Sequence, residues 1–179
     1  SLELRKINSF PNYIELENDE RILINKIINN NLSMTSTERL ISTLIAVKYV
    51  CNSNIRGDFV ECGVWRGGNS IVALHALNKL NSNKKLWMFD TFAGMTEPTQ
   101  YDFDNHTGLK AINEYKSKIS EDHNEWCYAS IEDVKSNIKE YQKQIDIKFV
   151  KGDILKTLRT DANIPKSISV LRLDTDWYE

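Results

Sequence analysis

The sequence predicts an α/β domain built around a mostly parallel sheet. Two observations support this prediction: short β-prone segments alternate with segments of helical periodicity, and each predicted strand ends in or just before an acidic residue. The chain has 179 residues, of which 41% are hydrophobic, so it can bury one core. We assign residues 1–56 to an amino-terminal helical region and residues 57–179 to the α/β domain.

Two amphipathic helices are predicted before the first strand. Apolar residues recur at near-helical spacing between Glu15 and Asn31, where an Asn-rich stretch ends the pattern. The second helix is expected to begin with Thr35 as its cap, in a capping box with Glu38, and to run toward Val50.

The first two predicted strands enclose a glycine-containing turn and a helix. Residues 59–62 and Leu86–Asp90 are short β-prone segments, and residues 70–80 repeat apolar side chains at helical spacing. The polar stretch over residues 91–128 has weak periodicity, and we interpret it as a long, partly helical insertion.

A further helix and two strands complete the predicted domain. Ser130 and Asp133 are expected to cap a helix with one apolar face. Residues 145–150 and Ile168–Leu173 are predicted as the third and fourth strands. Strands that alternate with helices favour parallel pairing through right-handed crossovers.

An acidic residue lies at or near the end of each of the four predicted strands. The four residues are Glu61, Asp90, Asp153 and Asp174. The carboxyl ends of parallel strands face one crevice, so we expect these carboxylates to line one rim, suited to a ligand with positive charge, several hydroxyls or a metal ion. The alternative interpretation is that Asp is common at strand ends and helix caps.

Glycine is concentrated around the first strand. Four of the seven glycines lie between Gly57 and Gly68, where the backbone can turn sharply and approach a ligand closely. The spacing Gly-x-x-x-Gly-Gly differs from the dinucleotide fingerprint Gly-x-Gly-x-x-Gly, which makes a nicotinamide-dependent oxidoreductase the weakest hypothesis. A purely structural glycine turn is the other interpretation.

Three segments carry a family resemblance: GDFVECGVWRGG at residues 57–68, DTFAGM at residues 90–95 and LRLDTDWYE at residues 171–179. Together they resemble the macrocin O-methyltransferase family of class I S-adenosylmethionine-dependent methyltransferases. The resemblance implies a Rossmann-like fold and Mg²⁺-assisted methyl transfer to a hydroxyl of a sugar or a sugar-containing natural product. The expected partner is therefore a small sugar or polyol acceptor.

The resemblance also implies how S-adenosylmethionine is bound. The first-strand acid and the glycine turn would hold the methionine part, Asp90 would accept hydrogen bonds from the ribose hydroxyls, and Asp153 would accept one from the adenine amino group. Phe92 would pack on the adenine ring, and Trp65 is suited to cover the cofactor. The implied set is Glu61, Gly63, Trp65, Gly67, Ser70, Asp90, Thr91, Phe92 and Asp153.

Asp174 is implied as a Mg²⁺ ligand and as the general base. A bound divalent ion lowers the pKa of a sugar hydroxyl, and a nearby carboxylate takes the proton. Asp176 has three open roles: ligand, orienting group or cap. His106 and His123 lie in the predicted insertion without an assigned role.

The chain departs from the family in one respect. It stops at Glu179, directly after the first metal-ligand segment, whereas the family continues through further strands and an Asp pair, and no Asp-Asp pair occurs in this sequence. The alternatives are a fragment of a longer enzyme and a shortened, non-catalytic cofactor-binding or assembly module. We expect little or no methyl transfer from this chain alone.

Charge, hydropathy and cysteine content limit the classes of partner and the cellular location that we expect. Lys and Arg number 23 and Asp and Glu 25, a net charge of −2, which argues against nucleic-acid binding by phosphate neutralisation. No apolar run of membrane-spanning length is present. The three cysteines lack metal-like spacing and favour a reducing, cytoplasmic location. The amino-terminal helices offer a contact for a homo-oligomer.

Overall fold

The computed structural model describes residues 16–103 and 108–177. Helices alternate with strands after two initial helices, as the sequence predicts. A short 3₁₀ helix over Asp161–Asn163 precedes the last strand. The other elements are α1 Asn18–Asn29, α2 Thr37–Asn52, β1 Asp58–Cys62, α3 Gly68–Lys79, β2 Leu86–Asp90, α4 Ala111–Ser117, α5 Ile131–Gln142, β3 Ile147–Lys151, α6 Ile154–Thr157 and β4 Ile168–Leu173.

The strands form one parallel sheet in the order β3-β2-β1-β4. Glu61 of β1 is in register with Met88 of β2 and with Arg172 of β4, while Asp90 of β2 is in register with Lys151 of β3. The carboxyl ends of all four strands therefore meet at one edge of the sheet. The predicted α/β class and its parallel sheet are confirmed.

The core lies mainly on one face of the sheet. Helices α1, α2, α3 and α5 contribute fully buried side chains to a single cluster, among them Ile27, Leu44, Leu74 and Ile138. A smaller cluster on the opposite face consists of Val60, Cys62, Phe89 and Val150. Among the described helices, none is both long and apolar enough to cross a bilayer.

Most predicted boundaries agree with the structure. The strands β2 and β4 have the predicted limits, while β3 begins at Ile147, two residues later than predicted. Helix α1 begins at Asn18, and the predicted start at Glu15 lies outside the described residues. The cap of α5 is confirmed, because the Ser130 hydroxyl accepts a hydrogen bond from the Asp133 amide over 3.1 Å.

The predicted cap of α2 is wrong. The helix begins at Thr37 with Ser36 as its cap residue. The Thr35 hydroxyl lies 2.9 Å from the Ser33 hydroxyl and accepts a hydrogen bond from Asn69 Nδ2 over 3.3 Å. A buried partner in α3 therefore takes the side chain that would otherwise cap α2.

The insertion folds back onto the end of β2. Its one regular helix among the described residues is α4. The amide of Asn124 donates to the carbonyl oxygen of Ala93 over 2.8 Å, and the amide of Met95 donates to that of Trp126 over 3.0 Å. These backbone bonds place residues 93–95 beside residues 124–126 at the edge where the strands end.

Candidate active site

Backbone hydrogen bonds align the ends of neighbouring strands. The amide of Asp174 donates to the carbonyl oxygen of Cys62 over 2.9 Å, and the amide of Gly152 donates to that of Asp90 over 2.9 Å. These bonds continue the sheet pairing by one residue beyond the strands. The residues that follow β1, β2, β3 and β4 are thereby brought side by side, as ligand sites in open parallel sheets require.

A cleft of about 220 Å³ opens at this edge. Six of the residues singled out in the sequence line it: Gly63, Trp65, Asp90, Thr91, Asp153 and Asp174. Four others lie behind its wall: Glu61, Gly67, Ser70 and Phe92. The rim is acidic, since the carboxylates of Glu97 and Asp176 also line it.

The glycine turn approaches the end of β4 closely. Gly63 has φ +84°, and a Cβ at this position would overlap the carbonyl oxygen of Asp174. Gly67 has φ +89° and forms the cap of α3. Because only glycine adopts such conformations at low cost, backbone conformation explains these two of the four clustered glycines.

Asp90 holds the glycine turn in place. Its Oδ2 accepts hydrogen bonds from the amides of Val64 over 2.6 Å and Trp65 over 3.1 Å, and its Oδ1 accepts one from the amide of Phe92 over 2.8 Å. The sequence predicted a ligand-binding carboxylate here and missed this structural role. The sequence did contain a signal for this role. Asp90 ends one predicted strand, and the glycine turn follows the strand that pairs with it.

Glu61 lies beneath the cleft and not on its rim. Its side chain is 1% exposed, accepts a hydrogen bond from the Ser70 hydroxyl and pairs with Arg172 Nη1 over 3.1 Å. Burial raises the pKa of Glu61 to about 7, and the Arg172 charge and the Ser70 hydrogen bond oppose this shift.

Arg172 is a functional candidate that sequence reasoning missed. Its Nη2 donates to Asp174 Oδ2 over 2.8 Å, while Nη1 contacts Glu61. The guanidinium therefore joins a buried acid to a rim acid, which suits its planar arrangement of donors. An arginine in the middle of the apolar segment that forms β4 was the signal in the sequence.

The two residues predicted to contact adenine differ in their position at the cleft. Asp153 lines the cleft, and its Oδ1 accepts a hydrogen bond from the amide of Leu155 over 2.9 Å at the start of α6. Phe92 is 3% exposed, and its ring centroid lies 6.0 Å from that of Phe149. Phe92 therefore supports the cleft from behind, with the adenine role still a prediction.

Two carboxylates line the cleft just after β4, those of Asp174 and Asp176. The pKa of Asp176 is raised because its carboxyl loses hydration and faces the charge of Asp174. No group of three or more His, Cys, Asp or Glu side chains is placed as a metal site within residues 16–103 and 108–177. Mg²⁺ is often held by one or two carboxylates together with substrate oxygens, and Asp174 and Asp176 are carboxylates that line this cleft.

Aromatic side chains close the cleft on the side of the insertion. Trp177 Nε1 donates to the carbonyl oxygen of Thr96 over 3.0 Å, and the Trp177 ring meets that of Trp126 edge-on, with centroids 5.4 Å apart. His123 is paired with Asp122 and Glu125 and does not line the cleft. His106 lies outside the described residues.

A parallel sheet with a glycine turn after its first strand and an acid at the end of its second is typical of nucleotide-binding α/β folds, among them the class I methyltransferases. The family model described as Macrocin-O-methyltransferase (TylF) matches residues 9–179. The chain belongs to this family, as its sequence motifs predicted.

Two curated relatives are O-methyltransferases of Streptomyces species. The chain is 30% identical over 150 residues to 8-demethyl-8-(2,3-dimethoxy-alpha-L-rhamnosyl)-tetracenomycin-C 4'-O-methyltransferase of Streptomyces olivaceus, covering 82% of this chain and 53% of the relative. It is 30% identical to demethyldecarbamoylnovobiocin O-methyltransferase of Streptomyces niveus, covering 84% and 54%. The chain thus spans about half the length of the curated relatives it matches.

Solved structures agree with this assignment. The O-methyltransferase NovP superposes with a TM-score of 0.65 at 26% identity, over 80% of this chain and 56% of NovP. The calicheamicin methyltransferase CalS11 superposes with a TM-score of 0.56 at 14% identity, over 97% of this chain and 71% of CalS11, which supports the fold alone.

Proposed function

We propose that this chain is the S-adenosylmethionine-binding part of an O-methyltransferase that acts on a hydroxyl of a sugar or a sugar-containing natural product. The observation that carries the proposal is the cleft in which Gly63, Asp90 and Asp174 lie side by side. The family membership and the named substrates of the relatives support the same reaction class. In this proposal, cofactor binding belongs to residues 57–179 and the helical region 1–56 precedes it.

The cleft suits a cationic methyl donor. Its rim carries the carboxylates of Asp90, Asp153, Asp174 and Asp176, which favour a ligand with a sulfonium and an amino group. Gly63 lines the cleft after β1, where the methionine part would lie, and Asp153 lines it after β3, where it would accept a hydrogen bond from the adenine amino group. Asp90 would bind a ribose hydroxyl at the acceptor site on Oδ1 that the three backbone amides leave free.

Asp174 is the proposed general base. Arg172 engages its Oδ2 over 2.8 Å, whereas Arg39 Nη1 lies 3.9 Å from Oδ1, so Oδ1 is the oxygen proposed to accept a proton from the acceptor hydroxyl. Mg²⁺ bound by Asp174 and Asp176 would lower the pKa of that hydroxyl. The chain's own contribution is to hold the hydroxyl in line with the donor methyl group, which supplies much of the rate in such reactions.

A non-catalytic cofactor-binding or assembly module is the second candidate. This candidate keeps the cleft and its acidic rim and assigns them cofactor binding alone. Both candidates bind S-adenosylmethionine, and only the first transfers its methyl group. The proposal also includes a cytoplasmic location, which the free thiols of Cys51, Cys62 and Cys127 favour, and a homo-oligomer.

Calorimetry with S-adenosylhomocysteine tests the cofactor site. We expect saturable binding by the folded 179-residue chain. Radiolabelled methyl transfer to a panel of neutral glycosides, with and without Mg²⁺, then separates the two candidates. Binding without transfer, both by this chain and by a longer protein that contains it, would favour the module. Absence of binding would refute the cofactor site.

A further inference from the structure

The linker between α1 and α2 lies directly against the first turn of α3. The amide of Gly68 donates to the carbonyl oxygen of Leu32 over 3.0 Å. A Cβ at Gly68 would lie 2.6 Å from that oxygen and 2.6 Å from the Cβ of Ser33. Only glycine lets the two backbones approach this closely, so the linker is packed tightly beside the glycine turn.

A polar network anchors the same linker at its α2 end, through Thr35. Asn69 is 4% exposed, and its Nδ2 donates to the Thr35 hydroxyl over 3.3 Å. Asn69 Oδ1 accepts a hydrogen bond from the Thr43 hydroxyl of α2 over 2.9 Å. The bond between Thr43 and Asn69 is costly to break because both residues are buried. The linker is therefore held at Leu32 and at Thr35.

Met34 lies between these two anchors. Its side chain is 57% exposed and lines the cleft together with Gly63, Trp65 and Asp174. Single exposed apolar side chains are ordinary on protein surfaces. This one differs because hydrogen bonds at Leu32 and at Thr35 hold its backbone at the cleft, where a flexible thioether side chain adapts well to a ligand.

One ion pair and one backbone hydrogen bond indicate which part of the cleft lies beside the linker. Arg39 follows the linker in α2, and its Nη1 lies 3.9 Å from Asp174 Oδ1 at the end of β4. The linker also touches Gly68 immediately after the glycine turn. Met34 therefore lies over the half of the cleft between β1 and β4.

We propose that Met34 is a cofactor-contacting residue that covers the bound methyl donor over the glycine turn. The proposal rests on the proposed function and adds a contact from the amino-terminal helical region. Because the linker is already anchored, little backbone freedom is lost when ligand binds, and the apolar contact has only the ordering of the Met34 side chain to offset.

Calorimetry with S-adenosylhomocysteine on four forms of the 179-residue chain tests this proposal. Met34→Ala should raise the Kd about tenfold, which corresponds to about 1.4 kcal/mol. Met34→Leu conserves the volume and should stay within about twofold of the wild type. Ile22→Ala is the matched control, because Ile22 is 60% exposed on α1 and does not line the cleft.

The melting temperature supplies a second readout. Met34→Ala should leave the Tm of the free protein unchanged and should reduce the rise in Tm that S-adenosylhomocysteine causes. A Tm lowered without ligand would make Met34 a residue of the fold and overturn the proposal.

Two results separate this proposal from the proposed function. Wild-type affinity in Met34→Ala would refute the contact and leave the cofactor site intact. A cooperatively folded wild type that binds no S-adenosylhomocysteine would refute the cofactor site, and the contact with it.

Discussion

Arg172 forms an ion pair with Glu61 in the interior of the protein, with Nη1 and Oε1 3.1 Å apart. The arginine side chain is 14% exposed and the glutamate side chain 1%. Breaking a buried pair leaves an uncompensated charge, which costs far more than loss of a surface pair. This pair lies directly below the proposed catalytic edge.

Replacing Arg172 with Met should lower the free energy of unfolding by about 3 kcal/mol at pH 8, because Glu61 then lacks its counter-ion. Urea unfolding at that pH measures the loss. The double variant Arg172→Met, Glu61→Gln should recover part of it, since the unpaired charge is gone. Equal losses in the single and double variants would contradict this explanation.

Glu61 should make the stability depend on pH. Its pKa is about 7 in the folded protein and 4.5 in the reference state. A raised pKa means that the folded state holds the proton more tightly, so the stabilisation is complete below 4.5 and is lost as the pH rises through about 7. The loss is on the order of 3 kcal/mol.

Urea unfolding at a series of pH values checks the prediction for Glu61. The decline of the unfolding free energy with rising pH should be strongly reduced in Glu61→Gln, which cannot ionise. Glu132→Gln on the exposed surface of α5 is the control and should keep the wild-type slope. A variant slope equal to that of the wild type would show that other groups cause the decline.

Gly63→Ala should destabilise the protein by at least about 3 kcal/mol, since the added methyl group overlaps the backbone of Asp174 in a strained conformation. Gly108→Ala is the matched control: its φ is +69° and no atom lies within 4 Å of an added Cβ. Backbone strain alone should cost this control about 1–2 kcal/mol. Similar Tm values for the two variants would argue against the close approach.

Asp90→Ala should weaken S-adenosylhomocysteine binding by at least about tenfold, because a hydrogen bond to a charged group contributes about 1.5–3 kcal/mol. The amides of Val64, Trp65 and Phe92 lose their acceptor, so the turn loses its fixed shape. Calorimetry measures the affinity. Asp161→Ala, exposed and outside the cleft, should bind as the wild type does.

His123 should titrate above its ordinary pKa of 6.5, because hydrogen bonds from its ring to Asp122 and Glu125 favour the protonated form. Its stabilising effect is present below 6.5 and is lost as the pH rises through the raised pKa. Histidine NMR titration of the wild type and of Asp122→Asn measures the shift. An unchanged pKa in the variant would contradict the assigned cause.

Local patterns were sufficient to predict the strands. The boundaries of β2 and β4 follow from a short apolar run that ends at an acid, and the cap of α5 involves two residues three positions apart. Each of these features depends on neighbours in the chain. Asp90 and Asp174 lie at one cleft because the parallel pairing of the strands brings their carboxyl ends to one edge of the sheet.

Long-range contacts account for what the sequence did not reveal. Thr35 does not cap α2 because its partner Asn69 lies 34 positions away. The arginine of β4 reaches Glu61 across 111 positions, and Met34 reaches the cleft only because its linker packs on α3.

The sequence by itself determined the α/β class, the order of helices and strands, and the acids and glycines that mark the strand ends. Only the tertiary structure decided that Glu61 is buried while Asp174 is on the rim, and that the amino-terminal linker forms part of the cleft. The physical reason is that periodicity and turn chemistry act between neighbouring residues. Burial and charge pairing depend on which distant segments pack together.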